Sequence, residues 1–468
     1  MELRIDRQAM VPVVQQIVDA LAGWIRQGAV QPGTRLPSVR QLAKDNLLSQ
    51  SSVFEAYERM IAQGVLAARQ GSGFVVAEPP IVVTHPGDKP WYEGAEANWE
   101  RFTDSPLGEL KLGCGGLPES WRESDDLSYA IREVARTDMA GLFNYSTPLG
   151  LPALRQQLHK RLKHINIEVD EGRIMTTHGA SHGLDLIVRT LLKPGDCVVV
   201  ETPGYSNLFD LLRLHGITLL EVPRTPRGPD VEALERLLSR HQPRALFINS
   251  LYHNPTGSSL TPTIAQRILE LAKAHGLLIV EDDVYADLQS SAGTRLAALD
   301  TDQSVIYVGS FSKTLSSSLR VGFVVASAEI ISRLAEVKMV SGMGASRFCE
   351  SVLCGLLANG AYRKLVQRQR QRLSGDMASA LQVLEDAEWQ VFGRPSGGLF
   401  IWGRSQLCDY PRVRTLAQQC GVLLSSRTAF SPGGEASDWL RINVAYASDP
   451  RALRFFQATA LPDRRQPS

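Results

Sequence analysis

Short apolar runs alternate with helix-like patterns from about residue 108 onward, and this alternation constrains the fold more than any other feature of the chain. The runs cover residues 197–200, 246–248, 278–280, 306–308 and 321–325. Apolar strands separated by helices predict an α/β fold, in which helices cover a central sheet. Loops that follow such strands carry binding and catalytic residues more often than other segments do. The candidate site residues are therefore expected directly after these runs.

The chain has 468 residues, which is too long for one compact domain and predicts two or three. No apolar run approaches the ~18 residues that a membrane-spanning helix needs. The first residues also lack the apolar core of a secretory signal. The six cysteines are scattered without a Cys-x-x-Cys pair, which argues against a metal site and a disulfide framework. We expect a cytoplasmic protein without bound metal or membrane contact.

Lys313 lies in a Ser-Phe-Ser-Lys-Thr sequence, and Arg320 follows it about two helical turns further on. A lysine amine forms an imine with an aldehyde. The hydroxyl groups of Ser310 and Ser312 and the guanidinium of Arg320 are suited to hold a phosphate. These residues predict a site for a cofactor that carries both an aldehyde and a phosphate.

Two further motifs precede this lysine in the chain. Asp282 and Tyr285 lie in a Val-Glu-Asp-Asp-Val-Tyr sequence, and Asn254 lies in a His-Asn-Pro-Thr-Gly sequence. Together with Lys313, they resemble the pyridoxal 5′-phosphate (PLP) site of class I aminotransferases. The resemblance covers roughly residues 108–460 and implies a fold-type I PLP domain.

By this resemblance, Asp282 pairs with the pyridine nitrogen of PLP. Such a carboxylate keeps the ring protonated and makes it an electron sink. Tyr285, three residues further on, can hydrogen-bond the phenolic oxygen. Asp283 is a competing carboxylate, and the resemblance favours Asp282 through its spacing to the tyrosine. In the alternative interpretation Asp282 only caps a helix, which leaves the Lys313 motif unexplained.

Other polar and aromatic residues follow the predicted strands. Residues 174–185 begin as a strand and continue as a helix, where Ala180 and Ser181 offer a backbone amide and a hydroxyl to an anion. Tyr205 follows a buried strand, where its ring can stack on a pyridine. The Asn254 amide can bind the cofactor's phenolic oxygen. Each has an ordinary alternative, namely a helix start, a packing aromatic and a turn.

Two residues concern the acidic group of a ligand and the neighbouring subunit. Arg441 is predicted on a strand near the C-terminus, where its guanidinium can bind the carboxylate of an amino acid through two hydrogen bonds. Considered alone, it would be a surface ion-pair residue. Tyr145 lies in a segment that also resembles fold-type I enzymes, in which this tyrosine reaches the phosphate of the neighbouring subunit. The resemblance therefore implies a homodimer with shared sites.

Residues 1–77 have a different pattern. Apolar residues between positions 14 and 25 recur at helical spacing and predict an amphipathic helix that ends near Gly28. A Pro-Gly sequence then breaks the chain, and Ser38 is placed to cap a second helix. These features predict a small helical domain ahead of the α/β domain.

A third helix is predicted to start near Ser49 and to present Gln50, Ser51 and Ser52 on its outer face. Two short helices with a tight turn between them match a helix-turn-helix, whose recognition helix presents its N-terminal residues to bases in the major groove. Two short strands around Gly71 then predict a wing. The net charge is only +1, so the argument for nucleic acid rests on this pattern and not on charge.

Three sequences in this region, Gly-Thr-Arg-Leu-Pro-Ser-Val-Arg-Gln-Leu-Ala, Ala-Tyr-Glu-Arg-Met and Gly-Ser-Gly-Phe-Val, resemble the DNA-binding domain of GntR-family transcription factors. The family implies that Arg35, Arg40, the residues from Ser49 to Ser52 and the wing at Gly71 lie near double-stranded DNA. The alternative is a winged helix that contacts only proteins.

Residues 78–107 separate the two patterns, and their proline, glycine and acidic residues predict a semi-extended linker. The expected domains are thus 1–77, a DNA-binding domain, and 108–468, a PLP domain. A GntR-type winged helix, a linker and an aminotransferase-like domain together resemble the MocR subfamily of bacterial regulators. Membership implies a response to an amino compound or a B6 vitamer.

The resulting hypothesis is a PLP-dependent transcriptional regulator. PLP would be held as an internal aldimine on Lys313. An amino effector would dock its acidic group on Arg441 and displace the lysine, and the DNA-binding domains of the dimer would change their spacing. An effector shifts such an equilibrium only by its differential affinity for the two states. Two alternatives stay open: a working aminotransferase with an appended DNA-binding domain, and a regulator in which PLP is only structural.

Overall fold

The computed structural model describes residues 3, 5, 11–25, 33–63, 65–69, 73–77, 108–121, 124–288, 293–407 and 409–460. The chain divides into two compact units, Met1–Pro90 and Trp91–Ser468. None of the helices in the described ranges has the length and apolar character that crossing a bilayer requires. The predicted helix end near Gly28, the wing tip at Gly71 and the linker at 78–107 lie outside the described residues.

The first unit contains three helices and a two-stranded antiparallel sheet. Their bounds are α1, Val13–Trp24; α2, Val39–Asp45; α3, Gln50–Ala62; β1, Leu66–Arg69; and β2, Gly73–Val76. The hydroxyl of Ser38 accepts a hydrogen bond from the Gln41 backbone N–H at 3.2 Å, which confirms the predicted cap of α2. Ser49 caps α3 in the same way, accepting from the Ser52 N–H at 3.0 Å. The predicted winged helix-turn-helix elements are confirmed.

Apolar side chains from all three helices meet in the core of this unit, as the helical spacing predicts. Ile17 and Leu21 of α1 and Val53 and Tyr57 of α3 are fully buried there. The Tyr57 hydroxyl donates to the Pro37 carbonyl at 2.8 Å. This bond satisfies the one polar group of an otherwise apolar side chain and fixes the entry to α2 against α3.

The second unit contains two sheets, whose strands follow in chain order. They are β3, Ile174–Thr177; β4, Cys197–Thr202; β5, Thr218–Thr225; β6, Gly228–Pro229; β7, Ala245–Ile248; β8, Leu278–Asp282; β9, Val305–Ser310; β10, Gly322–Val325; β11, Gln390–Val391; β12, Phe400–Arg404; and β13, Leu440–Asn443. The five apolar runs noted in the sequence correspond to β4, β7, β8, β9 and β10, which confirms the predicted strands.

The larger sheet is mixed and has the order β3-β10-β9-β8-β7-β4-β5-β6 within the described residues. Strands β5, β4, β7, β8 and β9 are parallel, whereas β10 is antiparallel to both β9 and β3. Buried Val200, Phe247, Val280 and Ile306 pair across four neighbouring strands, so the sheet is apolar through its centre. The smaller sheet, β11-β12-β13, is antiparallel.

Helices cover both faces of the larger sheet and surround the smaller one. They are α4, Ser124–Thr137; α5, Met139–Phe143; α6, Pro152–His164; α7, Gly179–Leu191; α8, Ser206–Leu214; α9, Val231–Leu238; α10, Pro262–His275; α11, Leu296–Leu299; α12, Ala328–Gly342; α13, Arg347–Ala358; α14, Ala361–Asp386; α15, Tyr410–Gln419; α16, Val444–Ala447; and α17, Pro450–Ala458. The predicted α/β architecture is confirmed, and the parallel strands direct their carboxyl ends toward one edge, where ligands of such sheets bind.

Candidate functional site

The predicted site residues converge at the carboxyl edge of the larger sheet. Asp282 is the last residue of β8, and Lys313 follows β9 by three residues. Asn254 lies in the loop after β7, and Tyr205 directly precedes α8 in the loop after β4. Because β4, β7, β8 and β9 are parallel neighbours, side chains that are far apart in sequence are placed next to one another.

Lys313 is half-buried, and its Nζ donates to the carbonyl oxygen of Gly115 at 3.1 Å. A Cβ built at Gly115 would lie 3.7 Å from this Nζ and 3.7 Å from both terminal nitrogens of Arg441. The amine and the guanidinium therefore flank the same glycine. A small amino acid that bridged this gap would meet an amine at one end and a carboxylate-binding fork at the other.

Three consecutive acids have different surroundings. Ser250 and the backbone N–H groups of Leu296 and Ala297 donate to the buried Glu281. Oδ2 of Asp283 accepts from Nε of Arg295 at 2.5 Å and from the Tyr307 hydroxyl at 3.0 Å. Both acids thus hold neighbouring segments in place.

The carboxyl group of Asp282 is buried at the end of β8 and does not cap a helix. Its Oδ1 is buried and has no hydrogen-bond partner among the described residues. Burial, together with the nearby charge of Asp283, raises the pKa of Asp282 to about 7, although the Val284 N–H and the charge of Lys313 oppose this rise. A buried polar atom without a partner is uncommon in proteins. A cationic N–H group placed here would supply that partner and lower the pKa again.

Donors also converge at the start of α7. Nη2 of Arg320 donates to the His178 carbonyl oxygen at 3.2 Å, and Nη1 lies 3.4 Å from the Ser312 hydroxyl. The Ser312 N–H in turn donates to the Ser310 hydroxyl at 3.2 Å. This places a guanidinium and two hydroxyl groups beside a helix N-terminus, an arrangement that suits a phosphate.

One detail of the sequence interpretation is wrong. The spacing between Lys313 and Arg320 was expressed in helical turns, but residues 311–321 form turns between β9 and β10. Arg320 itself has a φ of 52°, in the left-handed region. The arginine reaches α7 because this loop folds back, and not because a helix presents it.

Ala180 and Ser181 lie in the first turn of α7, as predicted, and Ser181 is exposed. Tyr205 is hydrogen-bonded to Ser181 and Asn207, and burial raises the pKa of its hydroxyl. The tyrosine ring therefore lies between the α7 start and the end of β8, where Asp282 also contributes to its raised pKa.

Arg441 lies on β13, which confirms its predicted strand position. Its Nη2 and Nε donate to the Gly113 carbonyl oxygen at 2.8 and 3.2 Å, and Nη1 donates to Oδ1 of Asn254 at 2.8 Å. The rings of Phe400 and Phe430 lie 4.9 and 4.8 Å from its Cζ. Two aromatic rings and three hydrogen bonds thus fix the direction of the guanidinium.

Asn254 uses Oδ1 to accept from Arg441, so Nδ2 is the end of this amide that can donate to a ligand oxygen. The peptide bond that follows it, before Pro255, is cis, one of the two forms that the sequence allows. Tyr285 is buried and packs edge-on against Phe400 at 5.6 Å. Burial raises the pKa of Tyr285, with Asp282 and Tyr205 among the neighbours that add to the effect. Its hydroxyl stays protonated and can donate.

Asn249 was missed by the sequence analysis. Its Nδ2 donates to the Asp282 carbonyl oxygen at 2.6 Å, and its Oδ1 accepts from the Asn254 N–H at 2.9 Å. Its own N–H donates to Glu201, which is paired with Arg224 at 2.5 Å inside the protein. Its place directly after β7 is a usable sequence signal, but nothing local indicates the Glu201–Arg224 pair, whose members are 23 residues apart.

The remaining predicted residues are exposed. Tyr145 follows α5 and is 74% exposed. In the first unit, Arg35, Arg40, Gln50 and Ser51 are exposed, the last two at the start of α3. Their exposure leaves these side chains available to a partner.

Ser49 and Ser52 serve α3 itself. The Ser49 hydroxyl lies 2.9 Å from the Ser51 hydroxyl and 2.8 Å from the Ser52 hydroxyl, in addition to its capping bond. The outward groups at the start of this helix are therefore ordered by their own hydrogen bonds before any contact with DNA.

Comparison with known proteins places this arrangement in a family. Residues 109–458 match the family model of class I and II aminotransferases, and residues 13–76 match the gntR family of bacterial regulatory proteins. The chain belongs to the class I and II aminotransferase family and carries an N-terminal gntR-family helix-turn-helix domain. This combination is the MocR architecture.

Individual relatives include both regulators and enzymes. The chain is 28% identical to an uncharacterised HTH-type transcriptional regulator, YdfD of Bacillus subtilis, over 94% of this chain and 93% of the relative. It is 31% identical to a 2-aminoadipate transaminase of Thermus thermophilus over 69% of this chain and 80% of that enzyme. Among solved structures, α-aminoadipate aminotransferase (LysN) of T. thermophilus in complex with N-(5′-phosphopyridoxyl)-L-leucine has a TM-score of 0.70 at 26% identity, covering 79% of this chain and 98% of LysN.

The family and this PLP-derived complex indicate PLP as the cofactor. The residues present fit it. The unpartnered Oδ1 of Asp282 suits the protonated pyridine nitrogen, and the cluster of Arg320, Ser310 and Ser312 suits the phosphate. Lys313 supplies the amine at the same edge of the sheet.

Proposed function

We propose that the chain is a PLP-dependent, DNA-binding transcriptional regulator that senses an amino compound or a B6 vitamer at Lys313. One observation carries this: a gntR-type domain over residues 13–76 and a complete set of PLP-binding groups occur in one chain. Regulator relatives such as YdfD cover both parts. The domain limits that we propose are 1–77 and 108–468, with 78–107 as the linker.

When bound, PLP supplies an aldehyde that binds primary amines covalently and reversibly, and a pyridinium ring that withdraws electrons. Lys313 is the amine that holds it, and Asp282 pairs with its ring nitrogen. Arg320, Ser310, Ser312, Ala180 and Ser181 hold the phosphate; Tyr285 and Nδ2 of Asn254 bind the phenolic oxygen; and Tyr205 packs against the ring.

Arg441 binds the acidic group of the effector. Its guanidinium already has two oxygen partners, Oδ1 of Asn254 and the carbonyl of Gly113. An incoming carboxylate must replace these bonds, and a charged acceptor binds arginine more strongly than a neutral one does. An effector with an amine and a carboxylate thus engages Lys313 and Arg441 together, and its differential affinity for this state drives the response.

The first unit binds double-stranded DNA. Gln50 and Ser51 at the start of α3 face the bases, while Arg35 and Arg40 contact phosphates. Both arginines are exposed, and a Cβ at Gly73 of the wing strand would lie 3.9 Å from the Arg35 side chain. Arg35 thus lies beside the wing, and Arg40 lies in the first turn of α2.

The regulator is a homodimer. Large apolar side chains are exposed around α5: Phe143 at 78%, Met139 at 55% and Leu142 at 44%, with Tyr145 directly after them. Clustered exposed apolar groups mark interaction surfaces in soluble proteins. The proposed occupant is a second copy of this chain, since the resemblance implies that Tyr145 reaches the partner's phosphate site.

A second candidate is a working aminotransferase. The 2-aminoadipate transaminase relative favours it, as does the presence of Lys313, Asp282 and Tyr285 together. A sensor needs only to exchange amines, whereas a transaminase must also pass the amino group to a keto acid. Turnover therefore separates the two.

The test is to follow the absorbance of purified PLP-loaded protein during titration with a panel of amino compounds and then a keto acid, and to measure operator binding by fluorescence anisotropy in parallel. The regulator is supported if an amine shifts the spectrum, stalls, and changes DNA affinity. Cycling with the keto acid supports the enzyme. Lys313→Ala should abolish the spectral response, whereas Lys364→Ala, an exposed lysine on α14, should preserve it. A normal amine response of DNA binding in Lys313→Ala contradicts the proposal.

A further inference from the structure

The chain enters the second unit through residues 108–117, which directly follow the linker in sequence and also form one wall of the PLP site. Three backbone bonds hold its first part: the Leu110 N–H donates to Gly421 at 2.8 Å, the Leu423 N–H donates to Leu110 at 2.8 Å, and the Gly113 N–H donates to Leu423 at 2.9 Å. A Cβ at Gly113 would lie 2.3 Å from the Ser425 nitrogen. The segment therefore packs backbone to backbone, and small displacements must be shared along it.

Both ligand-binding cations donate to this segment. Lys313 donates to the Gly115 carbonyl, and Arg441 donates to the Gly113 carbonyl. Attachment of PLP commits the lysine nitrogen to the cofactor, and an effector carboxylate competes for the arginine. Each event thus removes a donor from the backbone of residues 113–115.

One side chain keeps its bonds to this segment throughout. Asn443 is 0% exposed and lies two residues after Arg441 on β13. Its Nδ2 donates to the Gly116 carbonyl at 2.7 Å and to the Cys114 carbonyl at 3.1 Å, and its backbone N–H donates to Leu112 at 2.8 Å. Asn443 therefore fixes the carbonyl groups on either side of Gly115.

We propose that Asn443 is a positioning residue of the sensor, which holds residues 112–116 as a backbone lever between the ligand-binding cations and the linker. With Asn443 in place, loss of the bonds from Lys313 and Arg441 moves the segment as a unit. Without it, the carbonyl groups of Cys114 and Gly116 relax locally, and occupancy of the site is no longer reported at residue 108. This inference rests on the proposed regulatory function and names the route by which that function acts.

The test compares full-length protein with and without PLP by hydrogen exchange of the backbone amides in residues 108–117. In wild type, PLP is expected to change the exchange rate of these amides at least about threefold. Asn443→Ser keeps a hydroxyl that can cap the Ala445 N–H, which Oδ1 of Asn443 now accepts at 3.1 Å, but it cannot reach both carbonyl groups. It should exchange faster in both states and show less than half of the PLP-dependent change.

Asp230→Ser is the matched control, because Asp230 caps α9 through the Ala233 N–H at 2.8 Å and lies outside the site. It should behave as wild type. A second pair uses neighbouring glycines: a methyl at Gly115 would contact Lys313 and Arg441, whereas one at Gly116 has nothing within 4 Å among the described residues. Gly115→Ala should reduce the PLP-dependent change and Gly116→Ala should not.

The inference is overturned if PLP binds, as its spectrum reports, and leaves wild-type exchange at residues 108–117 unchanged. It is equally overturned if Asn443→Ser transmits the full change. A merely structural role of Asn443 would alter exchange in both states alike and keep their ratio. The proposed function fails by a different result, namely DNA affinity that ignores both PLP and amines.

Discussion

The guanidinium of Arg320 lies directly against the α-carbon of Gly179: a Cβ built at this glycine would be 2.7 Å from Nη2 of Arg320. Gly179 also has a φ of 74°, a conformation that favours glycine. The first residue of α7 therefore admits the arginine only because it has no side chain.

Gly179→Ala should lower PLP affinity because the methyl group displaces the arginine from the phosphate position. The expected loss is about 10- to 100-fold, which corresponds to roughly 1–3 kcal/mol of strain and lost contact. Titration of the apo protein with PLP, followed by absorbance, measures it. Gly276→Ala is the control, since Gly276 has a φ of 61° at the end of α10 but nothing within 4 Å of its Cβ among the described residues. Equal losses in both variants would contradict the role of Arg320.

Asp282 and Asp283 should respond in opposite ways to replacement by asparagine. Asp283→Asn leaves the buried guanidinium of Arg295 without its anion, and such a loss costs about 3–5 kcal/mol of folding stability. Asp282→Asn removes no ion pair of this kind, so the apo protein should keep its stability. It should instead weaken PLP binding and shift the PLP absorbance, because asparagine cannot keep the pyridine nitrogen protonated.

Urea unfolding of the two apo variants and their PLP titrations give both quantities. Asp283→Asn should unfold at lower urea concentration than wild type, and Asp282→Asn should not. If Asp283→Asn alters the PLP spectrum at full stability while Asp282→Asn leaves it unchanged, the assignment of the ring-binding carboxylate is reversed.

The stability of the apo protein should depend on pH through Asp282. Burial raises its pKa from an ordinary 3.8 to about 7, so between these values the folded state binds more protons than the unfolded state does. Stability then falls as pH rises from about 4 to about 7. Asp282→Asn cannot titrate and should lose this part of the slope, which amounts to at most a few kcal/mol.

Thermal or urea unfolding of the apo forms between pH 4 and 8 measures this difference. Glu281, whose pKa burial also raises to about 7, is present in both proteins and cancels from the comparison. Loading wild type with PLP should flatten its profile, because the ring cation favours the ionised carboxylate. Identical profiles for wild type and Asp282→Asn would show that this carboxyl does not titrate in that range.

DNA binding gives a prediction with a measurable salt dependence. Arg40→Gln should weaken binding about equally for all sequences and lower the slope of log K against log salt by about 0.9, the contribution of one phosphate contact. Gln50→Ala should instead reduce discrimination between operator variants. Arg59→Gln is the control, because Arg59 pairs with Glu55 at 2.7 Å in the last part of α3. An unchanged salt slope in Arg40→Gln would remove this arginine from the interface.

The sequence predicted the groups that act on the ligand better than the groups that hold them. Lys313, Asp282 and Asn254 were found because each follows a recognisable strand and belongs to a local motif. Asn443 and Gly113 were not, because their bonds join residues more than 300 positions apart. Periodicity and local motifs contain no information about which carbonyl group a distant side chain will reach.

The choice between neighbouring acids shows the same limit. By spacing, Asp282 and Asp283 differ by one residue, and only the resemblance to a family favoured the first. The structure separates them by partners: Arg295 and Tyr307 occupy Asp283, while Oδ1 of Asp282 has no partner among the described residues. These partners come from the α11 entry and from β9, so the distinction arises only when the sheet is assembled.

The exposed side chains around α5 make oligomeric state a direct test. Phe143 is 78% exposed, and an aspartate there would place a charge in the proposed contact between two copies. Phe143→Asp should raise the dimer dissociation constant at least about 100-fold, since truncating or charging an aromatic anchor of an interface typically costs more than ~2 kcal/mol. Sedimentation velocity over a concentration series measures this change.

Leu214→Asp supplies the matched control, because Leu214 is 57% exposed at the end of α8 and lies outside the α5 cluster. It should leave the dimer intact. If Tyr145 reaches the partner's phosphate site, Phe143→Asp should also lose PLP affinity at concentrations where it is monomeric and regain it when the protein is concentrated. Full PLP affinity in the monomer would mean that each chain completes its own site, and the shared-site dimer would then be wrong even if the chains associate.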